Sequence, residues 1–221
     1  MRQRRVVLTI SFAVATMTGV RAQKPPSSLQ MGGKKSVTRF FITSRGLGRG
    51  GNLGGLAGAD AHCRALAKKE GSDDHTWRAY LSTMTTATAP AVNARDRVGK
   101  GPWYNALGDR IALNLQELHT ESNKIDFENA VTERGDSVGH DKHDILTGSR
   151  PDGTAYPGTG DLTCGNWTSS SRGRAQVGHF DRGGDKPREK SWNSAHATRG
   201  CSNDDFTSTG GAGLFYCFAI D

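Results

Sequence analysis

Residues 54–64 read GGLAGADAHCR, and residues 77–82 read WRAYLS. The first stretch leads into a predicted helix over residues 57–70, because its apolar side chains recur at helical spacing. The residues that share this face are Ala59, Cys63, Leu66 and Ala67. The second stretch alternates apolar and polar positions, which predicts a strand. The two stretches therefore predict a helix followed closely by a strand, with a cysteine on the buried face of the helix.

The chain before the helix predicts a strand and a loop. Residues 37–43 (VTRFFIT) are rich in β-branched and aromatic side chains, and residues 46–55 are rich in glycine. Within that loop, residues 46–51 (GLGRGG) match the dinucleotide-binding fingerprint, which requires a βαβ context. No alternating series of strands and helices follows, so we interpret the glycines as a tight loop.

The chain after residue 82 is less regular. Residues 102–107 (PWYNAL) predict a short helical or turn element, and residues 119–145 are charged and poor in aromatics, which predicts a surface loop. Residues 214–220 (LFYCFAI) predict a strong final strand.

The first 22 residues have the pattern of a secretory signal. Three arginines within the first five residues precede an apolar run over residues 6–20, and Ala22 suits a cleavage site. The alternative is a membrane anchor, but a run of roughly 15 residues is shorter than the roughly 20 that span a bilayer. We expect cleavage after Ala22, a flexible linker over residues 23–36 and one domain over residues 37–221.

The charge of the chain argues against nucleic acid as a partner. Four of the 29 basic side chains lie in residues 1–22, which hold no acid, so the rest carries 25 basic and 22 acidic side chains, a net charge of +3. Nucleic-acid binding requires a denser basic surface. We also expect no membrane span after signal cleavage, and a periplasmic, cell-surface or secreted location.

Four cysteines predict two disulfides in an exported chain. They are Cys63, Cys164, Cys201 and Cys217. Structural zinc sites use close pairs such as Cys-x2-Cys, and no such pair is present. Four cysteines allow three connectivities, which spacing alone does not resolve.

Two groups of residues have the side chains that metal binding or acid–base chemistry uses. Residues 140–144 (HDKHD) combine imidazoles and carboxylates, but we favour a hydrated charged loop over a metal site. His179, Asp181 and His196 are acid–base types, yet the sequence pairs none of them with a nucleophile. We therefore expect no catalytic residues and no enzyme activity.

Two tryptophans beside asparagines suggest a ligand site. Trp167 follows Asn166, and Trp192 precedes Asn193 in a segment that also holds His196. An aromatic face beside amide groups is typical of sugar binding, and these five residues are the candidate ligand-binding set. The alternative is that both tryptophans belong to the core, where this residue type is usually buried.

Together with later blocks, the two opening stretches resemble a known family. The later blocks are TGSRPDG at 147–153, CGNW at 164–167 and YCF at 216–218. The chain resembles the endostatin domain of collagens XV and XVIII, and more closely bacterial exported proteins of lectin-like type. The likeness covers most of residues 37–221. It implies an α+β, C-type-lectin-like (endostatin-like) fold with two nested disulfides, Cys63–Cys217 and Cys164–Cys201.

The chain departs from the metal and heparin sites of these relatives. Endostatin binds zinc through N-terminal histidines, whereas residues 23–25 here read QKP, and its heparin site needs more arginines than a net charge of +3 suggests. Calcium-dependent lectins carry Trp-Asn-Asp, whereas Trp192-Asn193 is followed here by Ser194. Calcium is therefore possible but unsupported by a motif, and we expect no cofactor.

These observations predict an exported, non-catalytic binding module that recognises carbohydrate or an extracellular or envelope partner through its loops. The alternatives are a structural or adhesive surface protein and, less favoured, a secreted hydrolase that uses His179 or His196.

Overall fold

The computed structural model describes residues 35–221. The predicted signal peptide and most of the predicted linker lie outside the described residues. Lys35 and Ser36, the end of that linker, already contact the domain: Lys35 Nζ lies 2.7 Å from Asp221 Oδ2, and Ser36 Oγ lies 2.9 Å from Ser72 Oγ. The domain therefore includes these two residues.

The described chain has a mixed architecture of helices and strands with two disulfides, as the α+β prediction requires. The helices are α1 (Gly55–Lys69), α2 (Leu115–Leu118), α3 (Cys164–Trp167) and α4 (Asn203–Thr207). The strands are β1 (Phe40–Ile42), β2 (Trp77–Ala79), β3 (Trp103–Tyr104), β4 (Arg110–Ala112), β5 (Asp144–Leu146), β6 (Gln176–His179), β7 (His196–Ala197) and β8 (Gly211–Ala219). Short 3₁₀ turns lie at Ala94–Arg97, His140–Lys142 and Pro187–Lys190.

The central strand is β8, the predicted final strand. It pairs antiparallel with β1 and β2 and parallel with β5, and the sheet continues from β5 through β6 to β7. Successive side chains of a strand point to opposite faces. Phe215 and Cys217 accordingly pack in one hydrophobic cluster, and Tyr216 and Phe218 pack in the other. The continuous apolar run of β8 reflects burial on both faces.

The predicted helix is present as α1, and its predicted face is buried. Cys63 on that face bonds to Cys217 of β8, with the two Cα atoms 5.6 Å apart, across 154 positions of the chain. The second disulfide joins Cys164 to Cys201. This nested pairing is the one that the resemblance implies.

The glycine-rich segment is a loop that packs on the second disulfide. A Cβ on Gly51 would lie 2.5 Å from the Cβ of Cys164, and one on Gly50 would lie 2.1 Å from the carbonyl oxygen of Cys201. These glycines are therefore required by close backbone packing, in agreement with the interpretation as a tight loop.

Two sequence-based predictions were only partly right. Residues 102–107 hold the predicted turn rather than the helical alternative, and they also contribute a strand: β3 pairs with β4 around a turn in which Asn105 Oδ1 accepts bonds from the amides of Leu107 and Asp109. The segment 119–145 is not only a surface loop, since most of its few apolar residues, such as Ile125, are buried, although Phe127 is exposed. Within residues 35–221, no helix has the length and apolar character needed to cross a bilayer.

Candidate functional site: a cleft and a histidine–aspartate cluster

The structure places Trp167 and Asn166 away from any open ligand surface. Trp167 is fully buried, and its indole nitrogen donates to the carbonyl of Ser82 at 2.7 Å. The Asn166 amide bonds both backbone groups of Met84, at 2.7 and 3.1 Å. Both residues lie in α3, whose four residues have φ between 47° and 66°, a left-handed turn. The Trp167 ring belongs to the core, which is the alternative that the sequence left open, and the polar groups of both residues hold the segment that follows β2.

Trp192 and Asn193 line the floor of a cleft but are almost fully buried. The Trp192 ring is 4% exposed and packs on Tyr80, with centroids 4.8 Å apart. Asn193 is buried, and its amide nitrogen donates to the Tyr80 hydroxyl at 2.9 Å and to the carbonyl of Pro151 at 3.1 Å. The predicted ligand amide is therefore fully used within the protein, and only an edge of the indole reaches the cleft.

The cleft above these residues has a volume of about 630 Å³. It is walled mainly by the segment between β6 and β7 and by residues that follow α2. The lining residues are His119, Thr120, Glu121, Pro151, Arg182, Pro187, Lys190, Ser191, Trp192, Asn193 and Ser194. Acidic, basic and hydroxyl groups thus surround an aromatic floor.

A network of hydrogen bonds supports the floor of the cleft. His119 Nδ1 lies 2.8 Å from the carbonyl of Leu115, so this nitrogen carries the proton, and Nε2 accepts from the Tyr80 hydroxyl at 2.7 Å. Tyr80 in turn accepts from Asn193. Burial lowers the pKa of His119 and raises the pKa of Tyr80 well above its usual value against the smaller effect of Asn193, so burial favours the neutral form of both groups.

The histidines of the two acid–base groups converge at the edge of the sheet. Asp144 of β5 pairs directly with His179 of β6, so the two side chains share one face. His196 of β7 pairs with Val177, two residues before His179, and therefore lies on the same face. His143 joins them from the turn that precedes β5. The sequence showed these residues as two separate groups, and the sheet register brings them together.

All three imidazoles approach one oxygen of Asp144. The Nε2 atoms of His179, His196 and His143 lie 3.1, 3.3 and 3.4 Å from Asp144 Oδ1. Asp144 is 1% exposed, whereas His143 and His196 are partly exposed at the rim of the cluster. Donor atoms of His143, Asp144 and His179 lie within 4.8 Å of one another, an arrangement able to hold a metal ion.

Electrostatics couple Asp144 to these imidazoles. Burial would raise the pKa of Asp144, but His179 and His196 outweigh it and lower the pKa to about 2. Contact with Asp144 raises the pKa of His196. For His179, burial lowers the pKa and the contact with Asp144 raises it, and the net effect is a raised pKa. The interpretation of residues 140–144 as a merely hydrated loop was wrong for Asp144, which is among the most buried polar residues.

No family model matches this chain, and no curated protein matches it. The assignment of function therefore depends on the site itself.

Proposed function

We propose that this protein is an exported, non-catalytic binding module of C-type-lectin-like fold whose cleft binds carbohydrate. The cleft between the β6–β7 segment and the residues after α2 is the observation that carries the proposal. Two disulfides support export, since such bonds persist in oxidising compartments. The bridge from α1 to β8 and the mixed sheet around β8 support the lectin-like fold.

The chemistry of the cleft suits a polyhydroxylated ligand. Glu121 and Lys190 are exposed on its walls, where they offer an acceptor and a donor to hydroxyl groups. The edge of Trp192 supplies an apolar surface for the CH groups of a sugar ring. The floor is kept rigid by Asn193, Tyr80 and His119, so the cleft is preformed and binding costs little reorganisation.

A glycan array with the refolded, oxidised domain tests the proposal. We expect retention on a limited set of glycans, and at least about tenfold weaker binding in the variants Glu121→Ala and Lys190→Ala. Lys68→Ala, which changes an exposed lysine in the last turn of α1, is the matched control and should bind as the parent does. Absence of binding to any glycan, with and without calcium, would refute the carbohydrate proposal and favour a structural or adhesive role.

A further inference from the structure

Asp144 is a buried carboxylate that lacks hydrogen bonds. Neither of its oxygens has a hydrogen-bond partner of suitable geometry within residues 35–221, and the same is true of His179 Nε2, although the two groups lie 3.1 Å apart. A buried carboxylate without such partners costs several kcal/mol unless a cation compensates it. The cluster therefore requires positive charge close to Asp144 Oδ1.

The backbone fixes which nitrogen of each imidazole carries a proton. His179 Nδ1 lies 2.9 Å from the carbonyl oxygen of Gly183, and His196 Nδ1 lies 3.3 Å from that of Ala197. A carbonyl oxygen only accepts, so both Nδ1 atoms are donors. The neutral imidazoles then carry lone pairs on Nε2 atoms that lie 3.1 and 3.3 Å from Asp144 Oδ1. His143 follows the same pattern, because its Nδ1 lies 3.5 Å from a carboxylate oxygen of Asp181.

Two kinds of cation are able to pair with these lone pairs: protons and a divalent metal ion. Protons on all three Nε2 atoms would set three imidazolium ions around one carboxylate and leave two excess positive charges in the cluster. One divalent metal ion would bind the three nitrogens and Asp144 together and would leave one excess positive charge in the cluster. Like charges at such short range repel strongly, which disfavours protonation of all three imidazoles. A single imidazolium would neutralise Asp144 but leave two Nε2 lone pairs without a cation, whereas one metal ion serves all three nitrogens and the carboxylate.

The separations of Asp144 Oδ1 from the three Nε2 atoms agree with those around a tetrahedral metal ion, and the donor atoms of His143, Asp144 and His179 already lie within 4.8 Å of one another, whereas His196 has to move closer to the other two imidazoles to complete the set. Zinc bonds to nitrogen and oxygen ligands at about 2.0–2.1 Å, which places neighbouring ligand atoms about 3.3 Å apart. The separations of the three Nε2 atoms from Asp144 Oδ1 are 3.1 to 3.4 Å. Calcium and magnesium prefer all-oxygen sites, so a set of imidazoles selects zinc or a similar transition metal.

We propose that His143, Asp144, His179 and His196 bind one zinc-class divalent ion at the β5–β6–β7 edge of the sheet. This site shares no residue with the N-terminal histidines through which endostatin binds zinc. It is also independent of the proposed carbohydrate cleft.

The surroundings of the cluster have the features that support metal ligands. Metal-binding histidines usually donate their second nitrogen to a carboxylate or carbonyl, which fixes the ring, and Asp181 and Gly183 fill these roles here. Asp181 is itself held by His140 Nδ1 at 2.8 Å. Gly210 leaves space for the His143 ring, since a Cβ at that position would lie 2.9 Å from His143 Nε2.

Calorimetric titration of the oxidised, chelator-treated protein with zinc chloride tests this site. We expect binding of one zinc ion per chain, and cobalt substitution should give the visible absorption of a four-coordinate site. His143→Gln and His196→Gln change partly exposed residues and are expected to fold. Each should weaken zinc binding at least about tenfold, as loss of a ligand exceeds the effect of losing a supporting group.

His62→Gln is the matched control, because His62 is a partly buried imidazole that bonds the carbonyl of Arg45 outside the cluster. It should bind zinc as the parent does. Absence of one-to-one binding in the parent, or parental affinity in His143→Gln, would overturn the site. Parental affinity in His196→Gln would overturn the four-ligand assignment. Circular dichroism of each variant separates loss of the ligand from loss of the fold.

Discussion

Two buried aspartates in different regions of the molecule have opposite surroundings. Asp60 of α1 is 6% exposed and accepts four hydrogen bonds, from Arg78, from the amide of Ala79 and, to both oxygens, from Arg97. Asp144 of β5 is 1% exposed and accepts none of suitable geometry from residues 35–221. Both carboxylates are buried, but only the first is satisfied by the protein itself.

The difference distinguishes a structural carboxylate from a ligand carboxylate. The partners of Asp60 are permanent donors, because arginine does not lose its proton and the Ala79 amide is part of the backbone. They join α1 to β2 and to the 3₁₀ turn at Ala94–Arg97. The imidazoles around Asp144 change protonation or bind metal, so that region remains responsive to its surroundings.

The largest expected effect is that of Asp60→Ala on stability. Removal of this carboxylate leaves the Arg97 guanidinium, which is 11% exposed, without its counter-ion. We expect a loss of about 3–5 kcal/mol in the free energy of unfolding, as for other broken buried ion pairs. Guanidinium unfolding followed by tryptophan fluorescence, in the presence of a chelator, measures it.

The same measurement on Asp144→Ala tests the difference between the two buried aspartates. Once Asp144 is removed, the imidazoles are able to release protons and become neutral, which the arginines near Asp60 cannot do. The loss of stability in chelator should therefore be smaller than for Asp60→Ala. An equal or larger loss would show that Asp144 is as much a structural carboxylate as Asp60.

Zinc should stabilise the parent and not a variant that lacks the Asp144 carboxylate. A ligand that binds only the folded state at 100 times its dissociation constant adds about 2.7 kcal/mol. We expect the zinc-dependent rise in thermal midpoint to disappear in Asp144→Asn and to persist in Asp60→Asn. A rise of the same size in both variants would mean that zinc binds elsewhere on the chain.

The sequence predicted the region around Asp60 better than the region around Asp144. The signal for α1 is local, since residues 57–70 repeat their apolar side chains every three or four positions, and β8 is a continuous apolar run. The cluster has no local signal, because Asp144, His179 and His196 meet only through the register of β5, β6 and β7. Their residue types were visible in the sequence, but their proximity depended on pairings between distant segments.

Trp167 and Trp192 also show how polar neighbours of a tryptophan are to be interpreted. Their glycine, serine and asparagine neighbours left two alternatives, a ligand site and a place in the core. In the structure the asparagines bond backbone groups and a tyrosine, so they make burial of the rings possible. A polar neighbour indicates how a tryptophan is held as readily as it indicates a ligand.

The smallest expected effect concerns His119. Its hydrogen bonding is intermediate between that of Asp60, which has permanent charged donors, and that of Asp144, which has no partner of suitable geometry. Both its nitrogens have partners, but these are the neutral hydroxyl of Tyr80 and a backbone carbonyl. Burial lowers the pKa of His119 in the folded state below that of the unfolded chain. The unfolded state therefore binds the proton more readily, so this contribution to stability is present above a pH of about 6.5 and is lost as the pH falls below it.

We expect His119→Gln to lose less stability than the parent between about pH 7.5 and pH 5.5. His179 and His196 have raised pKa values, so their effect on the pH dependence of stability has the opposite sign. The measured quantity is therefore the difference in unfolding free energy between variant and parent, in which the effects of His179 and His196 cancel. A variant with the same pH dependence as the parent would show that folding leaves the pKa of His119 unchanged, and that the burial of this imidazole in the hydrogen-bond network beneath the cleft is wrongly assigned.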